Sequence, residues 1–222
     1  MQRNREPIVL KDVYSAHRAR LQEIRKRLSD FRAVGRRGSD ARLWEELVFC
    51  IFTAGASARM GFRSVEAVRS LLQDGNREEM TSALRKAGAH RFPVERPGYI
   101  VVTREYLTAD CGMKLRTRLD SFLDPIERRD WLAKEKRIKG LGYKESSHFL
   151  RNIGFTGHAI LDKHVMNCLC DLRVVDTRKP PATRAGYLET EEKLKLFAAR
   201  IGIDFDELDL VLWSMKTGEV LK

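Results

Sequence analysis

The stretch IKGLGYKESSHFLRNIG, residues 138–154, constrains the fold more than any other part of the chain. It places Gly-Leu-Gly between two segments of helical pattern, and glycines there permit a tight turn between helices. They also leave backbone N–H groups at the start of the following helix, where amides and the helix dipole bind phosphate. The pattern GxxxxGK[ST] is absent, so this is not a nucleotide P-loop. Cationic residues flank the turn: Lys136, Arg137, Lys139 and Arg151. Their charge favours a phosphate-binding helix-hairpin-helix over a plain turn.

The chain is strongly basic, and its positive charge is concentrated in two stretches. Over 222 residues it carries 42 Lys and Arg against 31 Asp and Glu, a formal net charge of +11. Residues 1–42 hold 12 basic and 5 acidic side chains, and residues 128–151 hold 8 and 3. Such a balance indicates a polyanionic partner, with nucleic acid ahead of an anionic membrane surface.

Neither a membrane segment nor a disulfide framework is predicted. No apolar run approaches the ~20 residues that span a bilayer, and the charged N-terminus has no signal-peptide core. Without a secretion signal, the cysteines are expected to be reduced thiols of a cytoplasmic protein. They are Cys50, Cys111, Cys168 and Cys170. Cys168-x-Cys170 would need two further ligands to make a zinc site, and none stands at a suitable spacing, so no metal site is predicted.

Apolar residues recur at three- and four-residue intervals, and no strand alternation longer than a few residues occurs, which predicts an all-α fold. Residues 41–54 are apolar nearly all round and predict a central core helix, which Ser39 or Asp40 can cap. TAGAS (53–57) ends that helix, and its small residues let another backbone or a ligand come close. The other helices outside the hairpin are predicted at 12–33, 61–73, 76–88, 99–107, 124–136, 161–172, 187–201 and 206–216.

Two residues near the hairpin could carry chemistry, and each also has an ordinary structural interpretation. Lys144 lies two residues past the second glycine, in the first turn of the new helix, where most lysines are solvated. Asp162 stands in AILDKHV, with apolar residues before it and a helical pattern after it. An aspartate there ordinarily caps the helix, and that role is compatible with a chemical one.

The chain from about Leu43 to Lys222 resembles the helix-hairpin-helix DNA glycosylase superfamily, whose signature is LxGxGxK followed by a Gly/Pro-rich loop and an aspartate. The match is closer still to the second family of 8-oxoguanine DNA glycosylase/lyases, found in archaea and some bacteria. It is carried by WLAKEKRIKGLGYKESSHFLRNIG, AILDKHV and LDLVLWSMKTGEVLK. The resemblance implies a two-lobed helical fold with the active site between the lobes. The implied lobes are 43–155, which contains the hairpin, and 1–42 with 156–222, within one catalytic unit, 1–222.

The resemblance implies a bifunctional enzyme that acts on duplex DNA containing 8-oxoguanine. Lys144 is the implied nucleophile and Asp162 the implied catalytic carboxylate. Breaking an N-glycosidic bond builds positive charge on the sugar, which a fixed carboxylate stabilises. An amine then attacks C1′, and the resulting Schiff base permits β-elimination of the 3′ phosphate.

The resemblance also implies how the protein holds DNA. The hairpin residues expected to bind it are Lys139, Gly140 and Gly142. The target base must leave the stack, and wedge side chains then refill the gap. HRFPVERPGY (90–99) is predicted to be a loop with two prolines, and superfamily relatives carry their wedge in such a loop before a helix. Phe92 is therefore the candidate wedge, with Arg91 near the orphaned base, although a core aromatic explains Phe92 equally well.

Recognition of the base is implied at two places. Many relatives carry a polar residue, often Gln or Asn, where this chain has TAGASA (53–58). Ala56 has no side-chain hydrogen bond to donate, so contacts there must come from backbone or from Ser57.

The C-terminus is the second place, because the related enzymes end in a lysine that reaches the lesion and this chain ends at Lys222. Thr217-Gly218 allows a turn, and Val220 can pin the tail, whereas a terminal lysine is ordinarily a frayed end. Trp213 offers a face for a flipped base, and a core tryptophan is an equally good account of it.

No cofactor is implied, since the four-cysteine iron–sulfur motif of some superfamily members is absent; a monovalent cation at the hairpin is left open. We expect a monomer, associated with the nucleoid of a prokaryotic cytoplasm and with no membrane partner.

Two alternative functions stay open. One is the same chemistry on another damaged base. The other is a non-catalytic helix-hairpin-helix protein that only binds DNA, but such a protein would not need Lys144 and Asp162 together, which favours the enzyme.

Overall fold

Helices make up the regular structure of residues 6–221, the part of the chain that this computed structural model describes. A 3₁₀ turn, Arg69–Leu71, follows the third helix, and these residues form no strand, which confirms the all-α prediction. The helices are α1 Leu10–Arg37, α2 Asp40–Thr53, α3 Ala58–Val68, α4 Arg77–Lys86, α5 Glu95–Cys111, α6 Leu115–Asp120, α7 Pro125–Lys134, α8 Tyr143–Asn152, α9 Lys163–Asp171, α10 Arg184–Ile201 and α11 Phe205–Thr217.

The chain divides into two units. The terminal unit comprises the residues up to Phe31 and those from Phe155 onward, and the central unit runs from Arg32 to Gly154. Residues 32–42 belong to the central unit and not, as expected, with the chain termini. Arg116 accounts for this assignment, because its guanidinium donates to two carbonyls within that segment, those of Gly35 and Gly38.

The centre of the central unit is α2, as its all-round apolar pattern predicts. Every residue of this helix from Leu43 to Thr53 is buried except Glu45. Its neighbours in contact are α3, α5, α6 and α8. Ser39 is its N-cap, with the hydroxyl accepting the N–H of Arg42 at 3.2 Å, so the predicted cap is confirmed.

The start of α5 differs from the prediction. The helix begins at Glu95 rather than at Tyr99, although Pro97 lies in its first turn. The first N–H groups of a helix have no intrahelical acceptor, so a proline in that turn removes no hydrogen bond. The predicted loop at 90–99 is therefore a loop only as far as Val94.

In the terminal unit, α11 packs against α9 and α10. The part of α1 up to Phe31 belongs to the same unit and contacts the buried side chain of Glu207 on α11. The Glu207 carboxylate accepts from His17 Nε2 at 2.8 Å and from Arg25 Nε at 2.7 Å. These contacts join α1, near the start of the chain, to α11, near its end.

The cysteines are free thiols. Burial raises the pKa of the Cys168 thiol to about 12, which leaves it protonated and unreactive at neutral pH. Within residues 6–221, no three His, Cys, Asp or Glu side chains are arranged to hold a metal ion. No helix in this range is both long and apolar enough to span a membrane.

Candidate active site and nucleic-acid interface

The hairpin turn packs against α5, and this packing requires one of its glycines. Gly140 has a φ of +78°, and a Cβ there would lie 2.9 Å from the ring of Tyr99 and 3.0 Å from Arg96 Nη1. On the same face of α5, Thr103 Oγ1 accepts the N–H of Lys139 at 2.9 Å. Residues on successive turns of α5 therefore contact Gly140 and Lys139 of the hairpin. These contacts fix the position of the hairpin within the central unit.

Gly142 meets different conditions. It is the N-cap of α8 with a φ of −101°, and an added Cβ would make only an ordinary contact, 3.5 Å from Glu145 Oε2. Its N–H donates to that carboxylate at 3.2 Å. The glycine pattern predicts that this amide is free for phosphate, whereas the structure gives it an internal acceptor. The protein's own packing does not require a glycine at this position.

Lys144 lies in the first turn of α8, beside the hairpin. Its Nζ is 3.0 Å from Glu145 Oε1, and only 25% of its side chain is exposed. A lysine three-quarters buried is not the solvated surface residue of the ordinary interpretation. Glu145 therefore joins the site, with one carboxylate oxygen on the ammonium and the other on the hairpin amide.

Asp162 is the N-cap of α9, as predicted. Its Oδ1 accepts the N–H groups of His164 at 2.7 Å and Val165 at 2.9 Å. Nothing among residues 6–221 donates a hydrogen bond to its Oδ2. The cap thus uses one oxygen and fixes the carboxylate, while the second oxygen stays available for chemistry.

The segment before Asp162 is held by side chains of α10 and α11 that the sequence analysis did not assign. Its backbone N–H groups donate in turn to these side chains at 2.9 to 3.3 Å. The pairs are Gly157 with Asp206, Ala159 with Glu191, Ile160 with Asp209, and Leu161 with the Tyr187 hydroxyl. The available signal was the presence of acidic residues at buried helical positions, as in LDLVLW.

The loop that precedes α5 and the first turn of α5 are docked on the C-terminus of α2. His90 Nε2 contacts the Phe52 carbonyl at 2.9 Å, Arg96 donates to that of Ala54 at 2.6 Å, and Arg91 donates to that of Gly55. The last carbonyls of a helix have no intrahelical donor. The three side chains supply donors, and so join the TAGAS turn to the loop of the candidate wedge.

Phe92 is partly exposed and lies in this loop, so it is not a residue of the buried core. Its N–H donates to His90 Nδ1 at 2.9 Å. Burial lowers the pKa of His90, which keeps the imidazole neutral, with Nδ1 as acceptor and Nε2–H as donor. The guanidinium of Arg91 lies 4.7 Å from the centre of the Phe92 ring. The aromatic side chain is thus presented by a fixed loop.

Of the residues expected to read the base, Ser57 has a structural task as well. It is the N-cap of α3, with its Oγ accepting the N–H of Met60 at 3.2 Å. Trp213, on α11 in the terminal unit, is partly exposed.

The C-terminal tail turns at Gly218, whose φ is +86°, as the Thr217-Gly218 pair predicts. Val220 follows with only 1% of its surface exposed, and its carbonyl accepts from Arg27 Nη2 at 3.5 Å. The tail is therefore pinned to the terminal unit as far as Val220. Lys222 lies outside the described residues.

The structure brings one set of predicted residues together within the central unit. The TAGAS turn, the loop with Arg91 and Phe92, and the hairpin all contact Arg96. Lys144 belongs to the same unit, whereas Asp162, Trp213 and the tail belong to the terminal unit.

Comparison with known proteins gives a consistent result. A family model described as 8-oxoguanine DNA glycosylase matches residues 24–203. The 8-oxoguanine DNA glycosylase/AP lyase of Korarchaeum cryptofilum is 39% identical over 215 residues, which cover 96% of this chain and 98% of the relative. The protein of the same name from Methanocaldococcus jannaschii is 34% identical over 199 residues, which cover 90% and 91%.

Two solved structures are similar over nearly their whole length. One is the Methanocaldococcus jannaschii 8-oxoguanine glycosylase/lyase in complex with a 15mer DNA containing 8-oxoguanine, with a TM-score of 0.85 and 32% identity. The other is the 8-oxoguanine DNA glycosylase of Thermotoga maritima, with the same TM-score and identity. Each match covers 96% of this chain and 98% of the other.

Proposed function

The chain belongs to the family of 8-oxoguanine DNA glycosylases, and from that membership we infer that it excises 8-oxoguanine from DNA and then cleaves the strand at the abasic site. Relatives carrying the full name 8-oxoguanine DNA glycosylase/AP lyase align over nine-tenths or more of both chains. The observation that carries the second activity is Lys144 at the start of α8, whose side chain is only 25% exposed. A module that only binds DNA has no need of a largely covered lysine there.

In the reaction, the Lys144 amine bonds to C1′ of the damaged nucleotide while the bond from C1′ to the base breaks. The departing base takes the electron pair and a proton. Opening of the sugar ring leaves a Schiff base between Nζ and C1′. Loss of a C2′ proton then breaks the C3′–O bond, and the strand is cut with the phosphate as leaving group.

Asp162 and Glu145 have separate roles in this scheme. The Asp162 carboxylate, fixed by its cap, stabilises the positive charge that develops on the sugar as the base departs. Glu145 holds the Lys144 ammonium in the free protein, so the amine must leave this carboxylate and lose a proton before it attacks.

Duplex DNA is the substrate that we assign, bound by a monomer in the cytoplasm. Three hairpin residues, Lys139, Gly140 and Gly142, contact the phosphates. Phe92 enters the duplex as the wedge, with Arg91 beside the orphaned base. The damaged base is read by Ser57, Trp213 and Lys222. A monovalent cation at the hairpin is the one ion that we retain.

A panel of single-lesion duplexes tests this assignment. Each duplex carries 8-oxoguanine, an alkylated purine, an oxidised pyrimidine or a preformed abasic site, and base release and strand cleavage are measured with and without borohydride. We expect excision and a covalent crosslink with 8-oxoguanine, and cleavage at the abasic site. Excision of another lesion alone would overturn the substrate, and binding without any crosslink would overturn the enzyme.

A further inference from the structure

One side chain that the sequence analysis did not single out, Arg96, contacts three segments that were assigned to DNA on separate grounds. Its guanidinium donates to the Ala54 carbonyl in the TAGAS turn at 2.6 Å. It lies 5.8 Å from the ring centre of Phe92, the candidate wedge. Its Nη1 packs so closely against Gly140 of the hairpin that a Cβ on this glycine would lie only 3.0 Å from it.

The position of Arg96 is itself determined by α5. The residue lies in the first turn of this helix, and its guanidinium is 5.3 Å from the ring centre of Tyr99 on the next turn. Tyr99 in turn packs against Gly140. The guanidinium therefore lies close to the Tyr99 ring and the hairpin glycine, and it donates to the Ala54 carbonyl.

A second arginine of α5 also binds backbone carbonyls, so this kind of contact alone does not set Arg96 apart. Arg104 donates to the carbonyls of Leu71, Leu72 and Gly75 at 2.8 to 3.4 Å. These carbonyls belong to the connection between α3 and α4, and none lies in the TAGAS turn, the wedge loop or the hairpin. The two arginines perform the same structural task on one helix, but only Arg96 performs it among the DNA-binding segments.

We propose that Arg96 is a positioning residue for base extrusion, which holds the wedge loop and the TAGAS turn in register with the hairpin that grips the phosphate. This inference rests on the proposed function. Extrusion requires the wedge to enter the duplex at the nucleotide whose backbone the hairpin holds. A wedge displaced by about 1 Å from that position loses much of the rate.

The test compares Arg96→Lys with Arg104→Lys. Lysine keeps the charge but is a point donor without the planar fork, so it does not satisfy a carbonyl and two ring faces together. We expect Arg96→Lys to lower the single-turnover excision of 8-oxoguanine by roughly 10–100-fold. Strand cleavage at a preformed abasic site should stay within about threefold of wild type, because no base is extruded there. A 2-aminopurine beside the lesion should brighten less on binding Arg96→Lys than on binding wild type.

Arg104→Lys is the matched control and should leave both rates within about threefold of wild type, since its contacts lie away from the DNA-binding segments. Unchanged excision by Arg96→Lys overturns the proposal. So does an equal fall of excision and abasic cleavage, which would mean that Arg96 supports the fold or the nucleophile in general, and so does an equal loss in Arg104→Lys. Absence of wild-type excision would instead overturn the proposed function.

Discussion

The single carboxylate of Asp162 has two roles, to cap α9 and to stabilise positive charge on the sugar. The structure separates the two demands by oxygen: Oδ1 accepts the N–H groups of His164 and Val165, and within residues 6–221 nothing donates to Oδ2. Asp162→Asn keeps an oxygen for the cap but removes the charge. We expect excision to fall by roughly 10²–10³ in single-turnover rate, with a melting temperature close to that of wild type. A variant that melts far below wild type would show that the residue serves only as a structural cap.

The two hairpin glycines should respond differently to alanine. Gly140→Ala forces a side chain into a left-handed conformation against Tyr99 and Arg96, and we expect a loss of about 2–4 kcal/mol in the free energy of unfolding. Gly142→Ala meets no clash and costs at most about 1 kcal/mol, as alanine is a poorer N-cap than glycine. Its methyl group should instead weaken DNA binding roughly tenfold by crowding the phosphate.

Chemical denaturation and DNA titration of both variants check this pair. Equal losses of stability would contradict the geometry of Gly140. Full DNA affinity in Gly142→Ala would contradict the placement of a phosphate against Gly142.

Local patterns predicted the residues whose role depends on their neighbours in sequence. Ser39 and Asp162 were identified as caps because a cap is defined by the helical residues that come directly after it. Arg96 and Asp209 were missed because their partners lie on other elements, and no spacing in the sequence encodes those contacts. Glu145 was missed although its position, three residues after the N-cap Gly142, is the spacing of a capping box.

Among the elements, the short ones were the hardest to predict. α6 has six residues and only two buried apolar side chains, Leu115 and Leu119, which is too short a run to show a helical period. The hairpin, α2 and α9 carry strong local signals, in their glycines, their all-round apolar pattern and their N-cap, and these were predicted. The docking of the loop at 90–94 on α2 depends on side chains that meet helix carbonyls, and the sequence does not show it.

That loop should be sensitive to acid. Burial lowers the pKa of His90, so the folded protein resists a proton that the unfolded chain accepts near its ordinary value of 6.5. The stability that neutral His90 contributes is thus present above pH 6.5 and is lost as pH falls below it towards the lowered pKa. His90→Gln keeps a donor for the Phe52 carbonyl but does not titrate.

We therefore expect the difference in melting temperature between wild type and His90→Gln to shrink as the pH is lowered from 8 to 5. Thermal melts of both proteins across this range measure it. A difference that is the same at every pH would show that His90 does not titrate with folding.

For the whole molecule, the net charge of +11 and the basic hairpin stretch predict salt-dependent binding. If about 4–6 phosphates are neutralised, log K should fall against log[salt] with a slope of about −0.9 per phosphate. Lys139→Gln should reduce the slope by about 0.9. Fluorescence anisotropy with a labelled duplex at several salt concentrations measures both. A slope near zero for wild type would rule out phosphate binding by the hairpin stretch.

The family, the helical class and the chemistry follow from the sequence because KGLGYKESSHFLRNIG and AILDKHV are contiguous motifs. The support for those motifs comes from distant parts of the chain. The segment before Asp162 is held by α10 and α11, and the hairpin is held by α5. These supporting contacts join residues far apart in the chain, so the structure shows them and the sequence alone does not.

The central claim is that Lys144 is the amine that attacks the damaged nucleotide. Borohydride trapping on an 8-oxoguanine duplex tests it most directly, with wild type, Lys144→Gln and Lys139→Gln compared at equal DNA occupancy. Lys144→Gln should give no covalent crosslink while binding the duplex within a few-fold of wild type, because the other basic side chains of the hairpin stretch, such as Lys139, remain. Lys139→Gln, a neighbouring lysine of the same hairpin, should still crosslink. An undiminished crosslink in Lys144→Gln would contradict the account and show that another amine is the nucleophile.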